Sequence, residues 1–223
     1  MKRLSDIGVL ASAVAHELRN SLAVIQVAAY NIRQKNKNRL IDKHLTVIEE
    51  EIAESNRVIK GLLAYSCIRK LDLRKVLIYD VLQESITWAK MRYRQKKITL
   101  KENLKLIKGV WLEIDPGQMT EVFQGVLNNA YQSFFEKRGK ILIFAKRNKG
   151  CVVICFQDEG VGIEPKYLKK VFEPFFTKKP SGIGLGLSIC REVVRLHQGQ
   201  IKIKSKKGAG TTVTITLPLK KAE

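Results

Sequence analysis

From Ile7 to Ile32, and again from Ile41 to Leu62, apolar residues return every three or four positions, a period that only the α-helix satisfies over such a length. The first stripe is Ile7, Ala11, Val14, Leu18, Leu22, Ile25, Ala29 and Ile32. The second is Ile41, Leu45, Ile48, Ile52, Ile59 and Leu62, reaching Ser66, with Glu49, Glu50, Glu51 and Glu54 crowding its other side. A polar stretch, 35–38, separates them. The spacing predicts one helix over about 4–34 and a second to Ser66, folded back on the first as an antiparallel hairpin. Two helices cannot bury both stripes by themselves, so pairing with a second copy into a four-helix bundle, a homodimer, is expected.

The first helix also carries His16, Glu17 and Asn20, within ASAVAHELRNSL. His16 stands two residues from Val14 and two from Leu18, which projects it roughly opposite the apolar stripe. Asn20 is one turn on and shares its face. A carboxylate-flanked imidazole on a rigid helix can serve as a nucleophile, although a lone exposed histidine is usually an ordinary surface residue. Zinc proteases use His-Glu-x-x-His, and here the second ligand position is Asn20, so the zinc reading fails.

The remaining chain is long enough to bury a core of its own. Residues 71–73 alternate as a short strand would, and a helix over about 76–96 carries Val81, Leu82, Ile86 and Trp88. Alternating segments follow at 98–104 and 110–114. Asp115 followed by Pro116 reads as a helix start, and that helix sends Met119, Val122, Phe123, Val126, Leu127 and Phe134 inward. Strands over 140–145 and 151–156 flank a turn at 148–150. A glycine-rich stretch to 184, a helix over 185–197 and strands at 200–205 and 211–217 complete the chain. The elements lack a regular βαβ rhythm, which predicts an α+β chain with a mixed sheet and helices on one face, and the domain boundary falls at 1–68 and 69–223.

No apolar run approaches the roughly 18–20 residues needed to cross a bilayer, and 1–6 is too short and polar for a signal peptide. A soluble, cytoplasmic chain is expected, with membrane attachment only through segments outside it. Cys67, Cys151, Cys155 and Cys190 form no CxxC pair and read as reduced thiols. The net charge of +20 is spread in short clusters without an aromatic-interleaved module. It reads as solvated surface with steering value, and no nucleic-acid partner is expected.

Three clusters point to a nucleotide. QGVLNNA (124–130) offers Asn129, a neutral oxygen ligand suited to Mg²⁺. DEGVGI (158–163) ends a strand with Asp158, able to accept from an exocyclic amine, and with Gly160 and Gly162, which let backbone approach a flat ring. FEPFFTKKPSGIGLGLSI (172–189) brings Gly182, Gly184 and Gly186 before a helix whose first amides suit phosphate, with Lys178 or Lys179 as countercharge. Neither G-x-G-x-x-G nor G-x-x-x-x-G-K-[ST] occurs.

The order HELRN, NNA, DEGVGI, FEPFF, GIGLGL resembles the two-component sensor histidine kinases over nearly the whole chain. The resemblance implies a phosphoacceptor hairpin, dimeric as a four-helix bundle, followed by an α/β two-layer sandwich of the Bergerat type shared with gyrase, Hsp90 and MutL. It implies that ATP, with Mg²⁺, phosphorylates His16. Glu17 orients the imidazole and accepts its proton, and Asn20 helps position ATP or water. Asn129 would bind Mg²⁺, Asp158 the adenine amine, and Gly160 and Gly162 would line the base. Phe172, Phe175 and Phe176 would anchor a lid, with Lys179, Gly182, Gly184, Leu185, Gly186 and Leu187 around the nucleotide. The implied acceptor is an aspartate on a response regulator receiver domain, docked near His16.

Three positions depart from the family pattern. Ser21 replaces a usual proline, which predicts a straighter hairpin, and Gly125 replaces an asparagine one turn before Asn129, which predicts weaker nucleotide contacts. Gln198 interrupts a His-Gly-Gly turn and reads as harmless. A phosphate relay with a degenerate ATP domain, and an ATP-driven clamp or serine kinase of the same superfamily in which His16 is incidental, remain the rival readings.

Overall fold

The computed structural model describes residues 2–35, 39–66, 71–134, 138–179 and 184–219, with side chains in the first two helices at 18–35, 41–53, 55, 56 and 59. Two compact units emerge: 1–69 together with 177–185, and 70–176 together with 186–223.

The first unit is a pair of long helices, α1 (Lys2–Lys35) and α2 (Arg39–Ser66). Both stripes form helix as their spacing predicts. Ala29 of α1 and Leu45, Ile52 and Ile59 of α2 are buried. The three α2 residues recur every seven positions, the seam of a coiled coil. Near the connection, Arg33 donates to Thr46 Oγ1 at 3.1 Å and pairs with Glu49 at 3.1 Å. Leu18, Ile25, Ile32, Ile41 and Ile48 remain exposed within one chain. The reason is geometric, since each helix offers its partner only one narrow seam. Among the described residues, no helix is long and apolar enough to cross a membrane.

In the second unit, β1 (Arg74–Leu77) pairs antiparallel with β3 (Trp111–Ile114) as a small separate sheet. This corrects the predicted strand over 71–73. Pairing with β3 sets Val76 opposite Leu112, so the strand begins later and α3 (Ile78–Arg92) starts after Leu77 and stops short of 96. A five-stranded sheet has the order β2-β4-β5-β7-β6, from β2 (Lys97–Asn103), β4 (Arg138–Asn148), β5 (Cys151–Asp158), β6 (Gln200–Ser205) and β7 (Thr211–Pro218). Only β2 and β4 run parallel, which makes the sheet mixed as predicted. Ile141, Ile143, Val152, Ile154, Phe156, Val213 and Ile215 point to one face. There they join α3, α4 (Pro116–Gln132) and α5 (Gly186–Leu196) in one core. Among the described residues, no helix of this unit lies on the opposite face. Phe134 is buried as predicted, but it follows the end of α4 at Ser133.

One buried polar cluster ties the ends of two helices together. Asp115 caps α4, its Oδ1 accepting from Gln118 N at 3.0 Å and its Oδ2 from Asp72 N at 3.1 Å. Its own N–H donates to His197 Nε2 at 2.9 Å, which leaves the ring proton on Nδ1 to donate to Val193 O at 2.8 Å. Burial works against the Asp115 charge, but the N–H groups of Gln118 and Asp72 and the Gln118 amide outweigh it and hold the carboxyl below its usual range. A depressed carboxyl stabilises the fold above its unfolded value, near pH 4, and that share is lost as pH falls through the lower native value. Asp115→Ala is expected to lower stability by about 1–2 kcal/mol at pH 7 and to flatten the acid limb of a urea-unfolding series.

At this same end of α5, just after His197, Gln198 sits at φ 57, a left-handed conformation that glycine adopts freely. The departure from His-Gly-Gly therefore carries a backbone cost. Gln198→Gly is expected to raise stability by about 0.5–1 kcal/mol, read as a higher urea midpoint at unchanged slope.

Candidate nucleotide site

Asp158 is the last residue of β5, opposite Ile141 on β4 and Thr211 on β7. Its alternation with Ile154 and Phe156 turns it to the helical side, where it is only 5% exposed. Its Oδ1 accepts from Gly160 N at 2.9 Å and lies 2.9 Å from Ser133 Oγ. Ser133 caps the C-terminus of α4 and shares its proton with the Ala130 carbonyl at 2.8 Å. The Ser133 carbonyl in turn accepts from Val161 N at 3.0 Å. One residue thus fastens the turn after β5 by both its side chain and its backbone.

The glycines of this turn serve close approach within the protein itself. A Cβ on Gly160 would stand 1.8 Å from Ser133 Oγ. Gly162, at φ +67, would carry a Cβ 2.0 Å from the Lys206 carbonyl. Gly208 N donates to Val161 O at 2.7 Å, and Ile163 N to Ser205 Oγ at 2.8 Å. On the side where a Cβ would stand, these glycines make room for Ser133 and for the β6–β7 turn.

Asn129 lies on α4 four residues before Ser133 and therefore on the same helix face, half-buried. Its neighbour Asn128 does different work, accepting from the Tyr93 hydroxyl and from Gln132 Nε2 at 3.3 Å. Gly125, one turn earlier on the Asn129 face, packs against α5, since a Cβ there would be 3.2 Å from Cys190 Sγ. Burial pushes the Cys190 thiol up to about 12, which keeps it protonated and a donor to Val122 O. Among the described residues, no three His, Cys, Asp or Glu side chains gather as a metal site. A single half-buried amide is the donor set expected for Mg²⁺ completed by phosphate oxygens and water.

Of the other predicted residues, Gly186 and Leu187 open α5 in this unit. Phe172 packs on the core beneath the Arg191 guanidinium at 5.4 Å, and Phe176 lies against Tyr167 at 5.6 Å. Phe175 has φ 64 and is exposed, so two of the three phenylalanines are held by packing. Lys179, Gly184 and Leu185 lie in 177–185, which belongs with the first unit. There Lys179 is exposed, its N–H bonded to Thr177 Oγ1 at 3.0 Å, Gly184 has φ +75 and Leu185 is buried. Gly182 lies outside the described residues. His16 and Glu17 belong to α1, with side chains outside those described, and Asn20 is exposed one turn on. Ser133 was missed from sequence. Its signal is its place four residues beyond Asn129, at the end of the same helix.

Residues 114–221 match the family of histidine kinase-, DNA gyrase B-, and HSP90-like ATPases. The signal transduction histidine-protein kinase AtoS of Escherichia coli is 32% identical over 219 residues, covering 98% of this chain and 36% of AtoS. The sensor histidine kinase ZraS of Salmonella typhi is 33% identical over 224 residues, 98% of this chain and 47% of ZraS. The chain thus spans about a third to a half of the length of these curated relatives. The histidine kinase ThkA, solved in complex with the response regulator protein TrrA, superposes with a TM-score of 0.70 at 25% identity, over 97% of this chain and 63% of ThkA. The chain belongs to the sensor histidine kinases, and its second unit contains their ATPase domain.

Proposed function

We propose that the chain is the catalytic core of a sensor histidine kinase that phosphorylates His16 from ATP and passes the phosphoryl group to an aspartate of a response regulator. The observation that carries the nucleotide half is Asp158, a buried carboxylate on the helical side of the sheet with one oxygen fixed by Gly160 and by Ser133, which follows Asn129 by one turn at the end of α4. In this reading Asp158 accepts from the adenine amine, and Asn129 donates its amide oxygen to Mg²⁺. Bound Mg²⁺ neutralises the charge of the transferring phosphate. A lone pair of a His16 ring nitrogen forms the bond to the γ-phosphorus as the bond to the bridging oxygen breaks and ADP leaves. Glu17 holds the ring so that the attacking nitrogen is unprotonated, then takes the proton of the phosphoimidazolium. Lys179 supplies countercharge, and Gly182, Gly184, Leu185, Gly186 and Leu187 shape the lid.

The exposed remainder of the α1 and α2 stripes supports a homodimer through the hairpin. Ile48→Glu places a charge in that interface and is expected to weaken dimerisation by about 10²-fold or more, measured by sedimentation velocity across a concentration series. A response regulator partner is supported by the ThkA–TrrA complex. Val24, Val27 and Tyr30 are exposed on the helix face that also holds Asn20, and they offer an apolar track for its receiver domain. The test is incubation with γ-labelled ATP and Mg²⁺. Acid-labile, alkali-stable label supports the reading, whereas bound nucleotide without label favours the relay.

A further inference from the structure

Strand pairing fixes which residues look away from the helices of the second unit. With Ile143, Ile154 and Ile215 facing the core, Leu142, Phe144, Val153, Cys155, Thr212, Thr214 and Thr216 face outward. On the same face stand Lys97 and Lys101 of β2, Lys140 and Lys146 of β4, and Lys202 and Lys204 of β6. Every charged residue facing outward on these strands is a cation. The two carboxylates within these strands, Glu102 and Asp158, stand on the opposite, helical side, paired with Ile143 and Ile141. None of the lysines enters an ion pair among the described residues.

Lysines on edge strands are often guards against edge-to-edge pairing, and that accounts for Lys97, Lys101, Lys202 and Lys204. It leaves Lys140 unexplained, because there β4 pairs with β2 on one side and accepts from Glu159 N on the other, whereas Lys146 stands beyond the last residue of β2. The cations surround a centre of threonines and small apolar residues with one exposed aromatic, Phe144. The face spans four strand spacings, about 19 Å.

We propose that this helix-free sheet face is a docking surface for an anionic lipid bilayer. A second copy is excluded as occupant, because the same cations would then face one another. Single-stranded nucleic acid is stacked by several aromatics, and only Phe144 is offered. A standard protein interface buries about 800 Å² per partner, more than a face about 19 Å wide by a strand length supplies. Point charges on long flexible stems, spread in two dimensions around a shallow apolar centre, suit headgroups that need no fixed register.

The test is sedimentation of the full chain with vesicles of phosphatidylcholine containing about 30% phosphatidylserine, beside pure phosphatidylcholine vesicles and duplex DNA. The variant is Lys101→Glu, Lys146→Glu, Lys202→Glu and Lys204→Glu together, all at exposed positions, with ATP binding and the unfolding midpoint as controls of its fold. Binding is expected on the anionic vesicles alone, to fall steeply between 0.05 and 0.5 M salt, and to weaken about 10²- to 10³-fold in the variant. Equal binding to neutral vesicles, no binding to anionic ones, tighter binding to DNA than to vesicles, or a variant that binds like the parent would each overturn the proposal.

Discussion

His16→Gln is expected to abolish acid-labile labelling from γ-labelled ATP, a loss of at least about 10²-fold down to the floor of the assay, while ATP affinity stays within about twofold of the parent. The split follows from where the residue sits. His16 belongs to the helical hairpin, whereas Asp158, the carboxylate proposed to read adenine, belongs to the sheet unit, so removing the proposed nucleophile should leave the base contacts intact. Glutamine keeps a polar side chain on a helix and is a fair helix former, so the hairpin itself should persist. Glu17→Gln provides the companion measurement. Without the carboxylate the imidazole loses its orienting partner and its proton acceptor, and the transfer rate should fall about 10²-fold with nucleotide affinity again unchanged. Undiminished acid-labile label in His16→Gln would move the phosphoacceptor to His44 or His197 and break the proposed mechanism.

Asp158→Asn is expected to weaken ATP binding by about 10²- to 10³-fold, measured by calorimetry on the full chain with Mg²⁺ present. The carboxylate accepts from Ser133 Oγ and Gly160 N, and an amide turned the wrong way would set N–H against N–H. The charge-assisted bond to an adenine amine would be lost as well, about 1.5–3 kcal/mol, beside about 1–3 kcal/mol for a buried donor left unmatched. Part of the second term falls on the apo fold, so the unfolding midpoint must be read alongside the affinity. A variant that binds ATP as the parent does would show that the base is read elsewhere and would dissolve the assignment of Asn129 with it.

Long periodic elements were legible because they depend on spacing alone. The α1 and α2 stripes, the Asp115–Pro116 start of α4 and the β4–β5 hairpin all arise from local pattern. The β1 strand was misplaced because its position is set by a partner some forty residues away, and Arg74 and Lys75 disguise it as loop. Within the site, Asp158 and Asn129 were legible as chemistry, but Ser133 was not, since a serine at a helix end reads as punctuation. Gly160 was legible as a glycine-requiring position, but not the contact within the protein that requires it. Its constraint is a hydroxyl on another element, which no one-dimensional pattern reports. The lysine face was equally hidden, because residues scattered from Lys97 to Lys204 become one surface only after the sheet is assembled.

The strand order has a temporal consequence. β5 is completed on one side by β4, its neighbour in the chain, but on the other by β7, which follows Asp158 by about fifty residues. At a synthesis rate of about 5–20 residues per second, several seconds separate the appearance of the carboxylate from that of Gly210 and Thr211, which pack against it. During that interval a nascent chain already has both hairpin helices and Asp158, while β5 is still unpaired on the side that β7 later takes. The strand edge that carries Asp158 is therefore the last part of this sheet to gain its second neighbour.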